Sequence, residues 1–203
     1  MAKQLRKEEA IYIAPQIKGY INKDGNPIVF DELKKKQLYN RDDIIDDKIS
    51  IYERQVEEWF LNRAKHLLKK DNYWFIILMI SISYIEWVEQ YIQWKSSNGQ
   101  SKVFFTIGLK RIFDLEDICE DKIKKFYNQV RCWLFHSGMT KNWVIINENF
   151  SKAIDFSDLD SIKINQKIFL ETIIKDFKKY IKKLKDSKNK TQREMFDKLY
   201  KNY

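Results

Sequence analysis

The chain has 203 residues, of which 44% are apolar and 15% aromatic, and this composition excludes a disordered tail protein. Only 5 glycines and 2 prolines occur, which argues against a loop-rich β-sandwich and against a glycine-lined nucleotide site. The 38 basic residues exceed the 29 acidic ones by 9. Of the basic residues, 11 lie beyond position 174, so the positive charge is concentrated at the C-terminal end. Such a charge permits binding of a polyanion but does not require it.

Residues 1–48 predict an N-terminal extension with one small β-hairpin. Two short strand-like runs flank Asp24-Gly25, a dipeptide typical of tight hairpin turns. The polar stretch 31–47 that follows is expected to cover the surface.

Residues 49–186 predict a helical domain. Apolar residues recur every three to four positions from Ile49 onward, which is the period of an amphipathic helix. The stretch 72–95 is apolar on nearly all sides but is broken by polar residues, so it predicts a central buried helix and no membrane span. A shorter helix is predicted over 103–113.

The stretch 114–137 predicts the most regular helix of the chain, ended by Gly138. Its expected core side consists of Cys119, Ile123, Phe126, Val130, Trp133 and Leu134.

The remaining elements are a second hairpin within 142–164, with 162–164 as a candidate further strand, a long helix from Gln166, and a short basic helix within 187–203. The spacing of Thr191 and Glu194 predicts a capping box at the start of that last helix. The predicted fold class is therefore mainly α, a bundle of four to six helices with one or two small β-hairpins.

The sequence contains no phosphate-binding loop, dinucleotide fingerprint, Cys-x-x-Cys pair or His-Glu-x-x-His motif. Its two histidines are too few for a zinc site, and its two cysteines lie too far apart on one predicted helix for a disulfide. We interpret Asp42-Asp43 and Asp46-Asp47 as surface acids. We expect no metal or cofactor and, since residues 1–6 show no signal-peptide pattern, a cytoplasmic protein without membrane contact.

The stretch 130–140 carries the chemical signal. On a helical wheel, the back of the 114–137 helix is polar over its first turns and then changes to Arg131, Cys132, Phe135 and His136. A solvent-facing surface has no reason to carry Phe135, so this change predicts a second buried contact at the helix end, with another segment or with a second subunit.

Arg131 and His136 suit the cleavage of RNA without a metal ion. A histidine titrates in the range needed to accept the proton of a ribose 2′-hydroxyl or to protonate the leaving 5′-oxygen. An arginine supplies a permanent planar cation to the phosphate. The two side chains diverge by about 140° on a regular helix, so they converge on one phosphate more easily when two copies of the helix meet across a dyad. The alternative is a surface arginine and a helix-capping histidine.

The run Arg131-Cys-Trp-Leu-Phe-His136-Ser-Gly, between an apolar aromatic helix and a closing helix, resembles the signature of the HEPN superfamily of small helical bundles, among prokaryotic proteins of the defence or toxin type. The resemblance covers about residues 50–186. It implies that Arg131 and His136 are the catalytic pair and that a homodimer lines one cleft with both motifs. Cys132 departs from it, because many active members carry Asn, Asp or His directly after the arginine.

Four further residues are candidates around this pair. Glu86 and Cys132 would support it, and Lys124 and Lys125 would hold RNA phosphates.

We expect a homodimeric, metal-independent endoribonuclease that uses the 2′-hydroxyl as nucleophile, in a toxin–antitoxin or phage-defence setting, with RNA and an antitoxin or other protein as partners. The alternative, favoured by Cys132, is a HEPN-type dimer that binds RNA or a partner protein without cleavage. A third reading is an accessory helical module for a nucleotidyltransferase.

Overall fold

The structure is a computed structural model that describes residues 5–39, 44–70, 72–158 and 160–200. Six helices and two small sheets form in this part of the chain, which confirms the mainly α prediction. These elements group into two compact units, one of Met1–Asn62 with Tyr180–Tyr203 and the other of Arg63–Lys179. The sequence predicts the divisions after residues 48 and 186 instead.

The first sheet is a four-stranded antiparallel meander in the first unit. Its strands are β1 (Ile11–Ala14), β2 (Ile17–Ile21), β3 (Pro27–Asp31) and β4 (Lys36–Leu38), paired in that order. The predicted hairpin is β2–β3, and Gly25 at its turn has the positive φ of 83° that glycine adopts without strain. The expectation that 31–47 only covers the surface is wrong, because β4 buries Leu38 within it.

The helices form where the apolar period predicts them, with differences at their ends. They are α1 (44–67, made of Ile44–Val56, a wider π-helical segment Glu57–Leu61, and Asn62–Leu67), α2 (Trp74–Gln93), α3 (Ser101–Phe113), α4 (120–137, made of Glu120–Phe126, the π-helical segment Tyr127–Cys132, and Trp133–Ser137), α5 (Gln166–Lys185) and α6 (Lys190–Leu199).

The start of α4 corrects the sequence prediction. Asp114 ends α3 in the left-handed conformation with φ 55°, and α4 begins only after Cys119. Cys119 is exposed and precedes the helix, so its predicted place on the core side is wrong. The sequence does not show that α3 and α4 are separated here. Glycine is the usual residue at a left-handed helix end, and an aspartate at that position does not predict one.

The second sheet lies in the second unit and consists of β5 (Val144–Ile146), β6 (Ile154–Asp155) and β7 (Ile162–Ile164). Its order is β5–β7–β6, with β7 parallel to β5 and antiparallel to β6. The predicted hairpin within 142–164 is therefore wrong, whereas the candidate further strand at 162–164 is confirmed as β7. β7 takes the centre because both Ile162 and Ile164 are buried, whereas Ile145 of β5 is 45% exposed.

The α6 helix is confirmed up to Leu199, and residues 201–203 lie outside the described part. The predicted capping box does not form, because the helix begins at Lys190 and Asn189 precedes it without a side-chain cap. Arg193 of α6 is buried and donates to the backbone oxygen of Leu184 at 2.7 Å.

Helix α2 is the central helix of the second unit, as predicted. It meets α3 at Gly108, where a Cβ atom would lie 2.8 Å from the backbone oxygen of Ile85. Beside this contact Arg111 donates to the buried Glu89 at 3.0 Å and to Asp176 of α5 at 2.6 Å. This ionic network fixes the helix that carries Glu86.

Among the described residues, α2 is long and apolar enough to cross a membrane by length and composition, and 44% of its most apolar window is buried. A core helix of a soluble protein passes the same test, so the cytoplasmic location and the lack of membrane contact stay predictions.

Candidate functional site

Glu86 of α2 and Arg131 of α4 form an ion pair within the second unit. The Nη2 atom of Arg131 donates to Oε2 of Glu86 at 2.9 Å, and the two side chains are only 22% and 17% exposed. The structure thus brings together two of the predicted site residues. A half-buried, charge-assisted hydrogen bond of this kind fixes the direction of the guanidinium group.

Two aromatic rings flank the same guanidinium group. Its central carbon lies 5.6 Å from the ring centroid of Tyr127 and 5.2 Å from that of Phe135, within the range of cation–π contacts. The rings come from positions four residues before and after Arg131, which neighbour it on a helix surface. Burial lowers the pKa of Arg131, but the hydrogen bond to Glu86 and the negative charge of that carboxylate together with smaller neighbouring effects outweigh this, so the pKa lies above its ordinary value and the group stays cationic.

The π-helical segment of α4 determines which residues face the core. Phe126, Val130 and Leu134 are fully buried at spacings of four, whereas Trp133 is 42% exposed. The prediction that Trp133 lies on the core side is therefore wrong. A π-helical turn contains more residues than an α-helical turn, so every side chain after it is rotated relative to a regular helical wheel.

Glu86 is held from its other side by the loop after α2. The hydroxyl of Ser97 donates to Oε1 of Glu86 at 3.2 Å, and the backbone N–H of Ser97 donates to Oε1 of Gln90 at 3.0 Å. Trp94 ends α2 in the left-handed conformation and returns the chain toward these residues.

A cleft of about 200 Å³ opens beside the ion pair. It is lined by Glu86 and Arg131 together with Ile82, Ser83, Trp87, Gln90 and Phe135. Sequence reasoning missed Trp87 and Gln90. Their spacing from Glu86, one and four positions along the helix, gives no sign that they share a cleft until α4 is placed against α2.

Cys132 contacts Tyr127 and does not line the cleft. Burial raises the pKa of the Tyr127 hydroxyl, the Arg131 charge lowers it, and hydrogen bonding to the Cys132 side chain raises it further, so the pKa lies above its ordinary value. Cys132 is thus connected to Arg131 only through Tyr127.

His136 lies on the last turn of α4, before the left-handed Gly138 that ends the helix. Its side chain is exposed and makes no hydrogen bond or ion pair with the described residues. It does not line the cleft, so a single chain does not bring His136 and Arg131 together there.

Lys124 and Lys125 lie on the first part of α4, away from the cleft lining. Lys124 pairs with the exposed Asp121 at 3.6 Å, and Lys125 donates to the backbone oxygen of Asp160 at 3.3 Å. The structure therefore does not gather them with Arg131.

Several large apolar side chains at the end of α4 and in the residues that follow it are exposed. Trp133, Phe135, Met139, Trp143 and Ile145 are each between 41% and 59% exposed. The ammonium group of Lys141 covers one of them, lying 4.9 Å from the Trp133 ring centroid. Phe135 is thus partly exposed within one chain, and the second buried contact that the sequence predicts at this helix end stays a prediction.

No cluster of three metal-ligating side chains occurs among the described residues. Of the acids interpreted as surface carboxylates, Asp46 pairs with Arg193 at 2.8 Å and Asp47 accepts from the backbone N–H of Tyr39 at 2.8 Å. Asp47 is buried, which corrects its placement as a surface acid, and Asp42 and Asp43 lie outside the described residues.

Comparisons of the chain with family models, with curated proteins and with solved structures give no significant match. The likeness to HEPN proteins therefore rests on the residues of the motif.

Proposed function

We propose that this protein is a metal-independent endoribonuclease of HEPN type. The observation that carries the proposal is the placement of Arg131, a cation held by Glu86 and two aromatic rings at the edge of a cleft. Only its Nη2 atom is used for the ion pair, and no described group accepts from Nη1 or Nε. Those N–H groups remain to bind a phosphate.

In this reaction the 2′-hydroxyl of a ribose attacks the adjacent phosphorus, and the bond to the 5′-oxygen breaks. The products are a 2′,3′-cyclic phosphate and a 5′-hydroxyl. Arg131 stabilises the negative charge that builds on the phosphate oxygens, since its donors are already oriented before the reaction. His136 transfers the proton, either from the 2′-hydroxyl or to the leaving oxygen.

In this proposal a homodimer brings His136 close to Arg131, which a single chain does not do. His136 is exposed beside the apolar surface of Trp133, Phe135 and Met139, and such a surface suits burial against a second copy. In a twofold dimer, His136 of one chain approaches Arg131 of the other.

The alternative is a dimer of the same type that binds RNA or a partner protein without cleavage. Two observations favour it. The charge of Arg131 is already paired with Glu86. No described side chain forms a hydrogen bond or an ion pair with His136, so nothing in this part of the chain orients its ring.

The test is cleavage of single-stranded and structured RNA in EDTA, with analysis of the product ends. We expect the wild type to yield cyclic phosphates and Arg131→Ala and His136→Ala to yield none. Arg63→Ala and His66→Ala are matched controls, since both residues are exposed on α1. Cleavage that persists in both site variants, or that requires an added metal, contradicts the proposal, and RNA binding without cleavage supports the alternative.

The proposed setting is a toxin–antitoxin or phage-defence system. Expression of the wild type should stop growth of a bacterial host, while His136→Ala should not. A partner protein acting as antitoxin would restore growth when produced together with the wild type.

A further inference from the structure

The cleft beside Arg131 combines aromatic surface with hydrogen-bonding groups. Trp87 and Phe135 supply rings, and Glu86 and Gln90 supply polar atoms. Proteins recognise unpaired RNA bases by this combination, because a base stacks on an aromatic ring while its edge forms hydrogen bonds.

The polar atoms of the cleft leave a defined set of donors and acceptors. The two oxygens of Glu86 accept one hydrogen bond each, from Ser97 and from Arg131, and every carboxylate oxygen has a second lone pair. Gln90 uses its oxygen for the N–H of Ser97, and no described residue accepts from its amide nitrogen. The hydroxyl of Ser83 donates to Met79, so it offers only lone pairs to a ligand. The cleft thus presents a carboxylate acceptor next to an amide donor.

This pattern matches the pairing edge of guanine better than that of any other base. Guanine has two adjacent donors, N1–H and the N2 amino group, beside the acceptor O6. Glu86 would accept from both donors, and the Gln90 amide would donate to O6. Adenine and cytosine offer one amino donor beside a ring acceptor, and uracil offers a single N–H between two acceptors.

We infer that the cleft binds one unpaired guanine base of the RNA, next to the phosphate that Arg131 holds. This inference rests on the proposed function, because it takes RNA as the ligand. Glu86 then has two roles: it orients Arg131, and it accepts hydrogen bonds from the base. Its fixation by Ser97 keeps the carboxylate in one orientation before RNA binds, which favours selectivity.

The experiment measures binding of short oligouridines with one central guanine, adenine or cytosine, or none, to the non-cleaving His136→Ala protein by fluorescence anisotropy. We expect the guanine RNA to bind about tenfold more tightly than the others, since a good bidentate contact to a base discriminates by ~1–3 kcal/mol. Gln90→Glu, made in the same protein, keeps the acceptor for Ser97 but removes the donor for O6. It should abolish the preference, because the new carboxylate would repel O6 of guanine and so cancel the contacts that Glu86 keeps.

Gln100→Glu is the matched control, because it introduces the same charge at an exposed glutamine outside the cleft lining and should keep the preference. Equal binding of all four RNAs, or a guanine preference that survives Gln90→Glu, overturns the inference. Cleavage sites mapped with the wild type separate the two proposals. Cleavage without any guanine preference overturns the guanine site alone, whereas guanine-dependent binding without cleavage overturns the nuclease proposal alone.

Discussion

Glu86 and Arg131 connect α2 to α4 through a hydrogen bond of 2.9 Å between Oε2 and Nη2. Glu86 in turn is held by Ser97 of the loop after α2, so three segments of the second unit fix one guanidinium group. Such fixation lets the group meet a developing phosphate charge without reorganising at the moment of reaction.

The first prediction concerns this ion pair. Glu86→Ala removes the acceptor of Arg131 and should lower kcat/KM for RNA cleavage by about tenfold or more, since a charge-assisted hydrogen bond contributes ~1.5–3 kcal/mol. Glu86→Gln keeps an acceptor oxygen and should lose less. Circular dichroism checks that both variants fold, and equal activity of Glu86→Ala and the wild type contradicts the positioning role.

The second prediction concerns the ring of Phe135. Phe135→Leu removes one aromatic face from Arg131, and a cation–π contact at a partly exposed site contributes ~0.5–1 kcal/mol. We expect cleavage to fall by a few-fold. The free energy of unfolding should hardly change, because Phe135 is 41% exposed. Phe60→Leu, at an exposed aromatic residue of α1 outside the cleft lining, is the control for a general effect of ring removal.

The third prediction tests whether the site is shared between two chains. Arg131→Ala and His136→Ala proteins are each inactive alone, but a mixed dimer keeps one intact pair if the residues come from different chains. The mixture should recover about a quarter of wild-type activity, because half of random dimers are mixed and each has one of two sites. No recovery, together with a sedimentation mass near that of one 24.7 kDa chain, excludes the shared site.

The fourth prediction concerns the ionic network of the second unit. Arg111→Met leaves the buried Glu89 without its cation, and removal of one partner of a buried pair costs ~3–5 kcal/mol. Urea denaturation should show a loss of this size. Lys124→Met breaks only the exposed pair with Asp121, so its unfolding free energy should change by less than about 1 kcal/mol. Equal losses for Arg111→Met and Lys124→Met contradict the role of Arg111 in stabilising the buried Glu89.

The fifth prediction concerns acid stability of the first unit. Asp31 is buried, and burial raises its pKa, but hydrogen bonds from Arg54 and from the Lys34 N–H lower it, so the net pKa lies below its ordinary value of 3.8. The ion pair therefore stabilises the fold fully above pH 3.8, and its contribution declines as the pH falls through the folded-state pKa.

The variant Asp31→Asn tests this directly. Its unfolding free energy should lie below that of the wild type at pH 7 by about 3 kcal/mol. The difference should shrink as the pH falls below 3.8. Asp24→Asn, at the exposed turn of the β2–β3 hairpin, should show neither effect. A difference that stays constant with pH contradicts the prediction.

The long helices could be predicted from the sequence because an apolar period of three to four residues, continued over many positions, stays recognisable when single positions depart from it. The short strands could not, since β4 buries only Leu38 and its other residues are polar. The order of the second sheet was missed because β7 pairs with β5 across a long connection, and sequence neighbours alone favour a hairpin.

The candidate site was predictable in part for a related reason. Arg131 and Phe135 are close on one helix, so a helical wheel brings them together. The wheel failed at Trp133, because a π-helical segment breaks the regular rotation. The ion pair to Glu86 joins residues 45 positions apart, and only the packing of α2 against α4 creates it.

The π-helical segment also determines which change of chain length α4 tolerates. A single π-helical turn holds one residue more than an α-helical turn, so deletion of the exposed Asn128 would let the segment close as an ordinary α-helix while the later side chains keep their directions. Arg131 would then still reach Glu86. Insertion of one residue at the same place would instead turn every later side chain by about 100° and separate the guanidinium group from Glu86. The spare residue of one turn thus makes α4 tolerant of shortening and intolerant of lengthening.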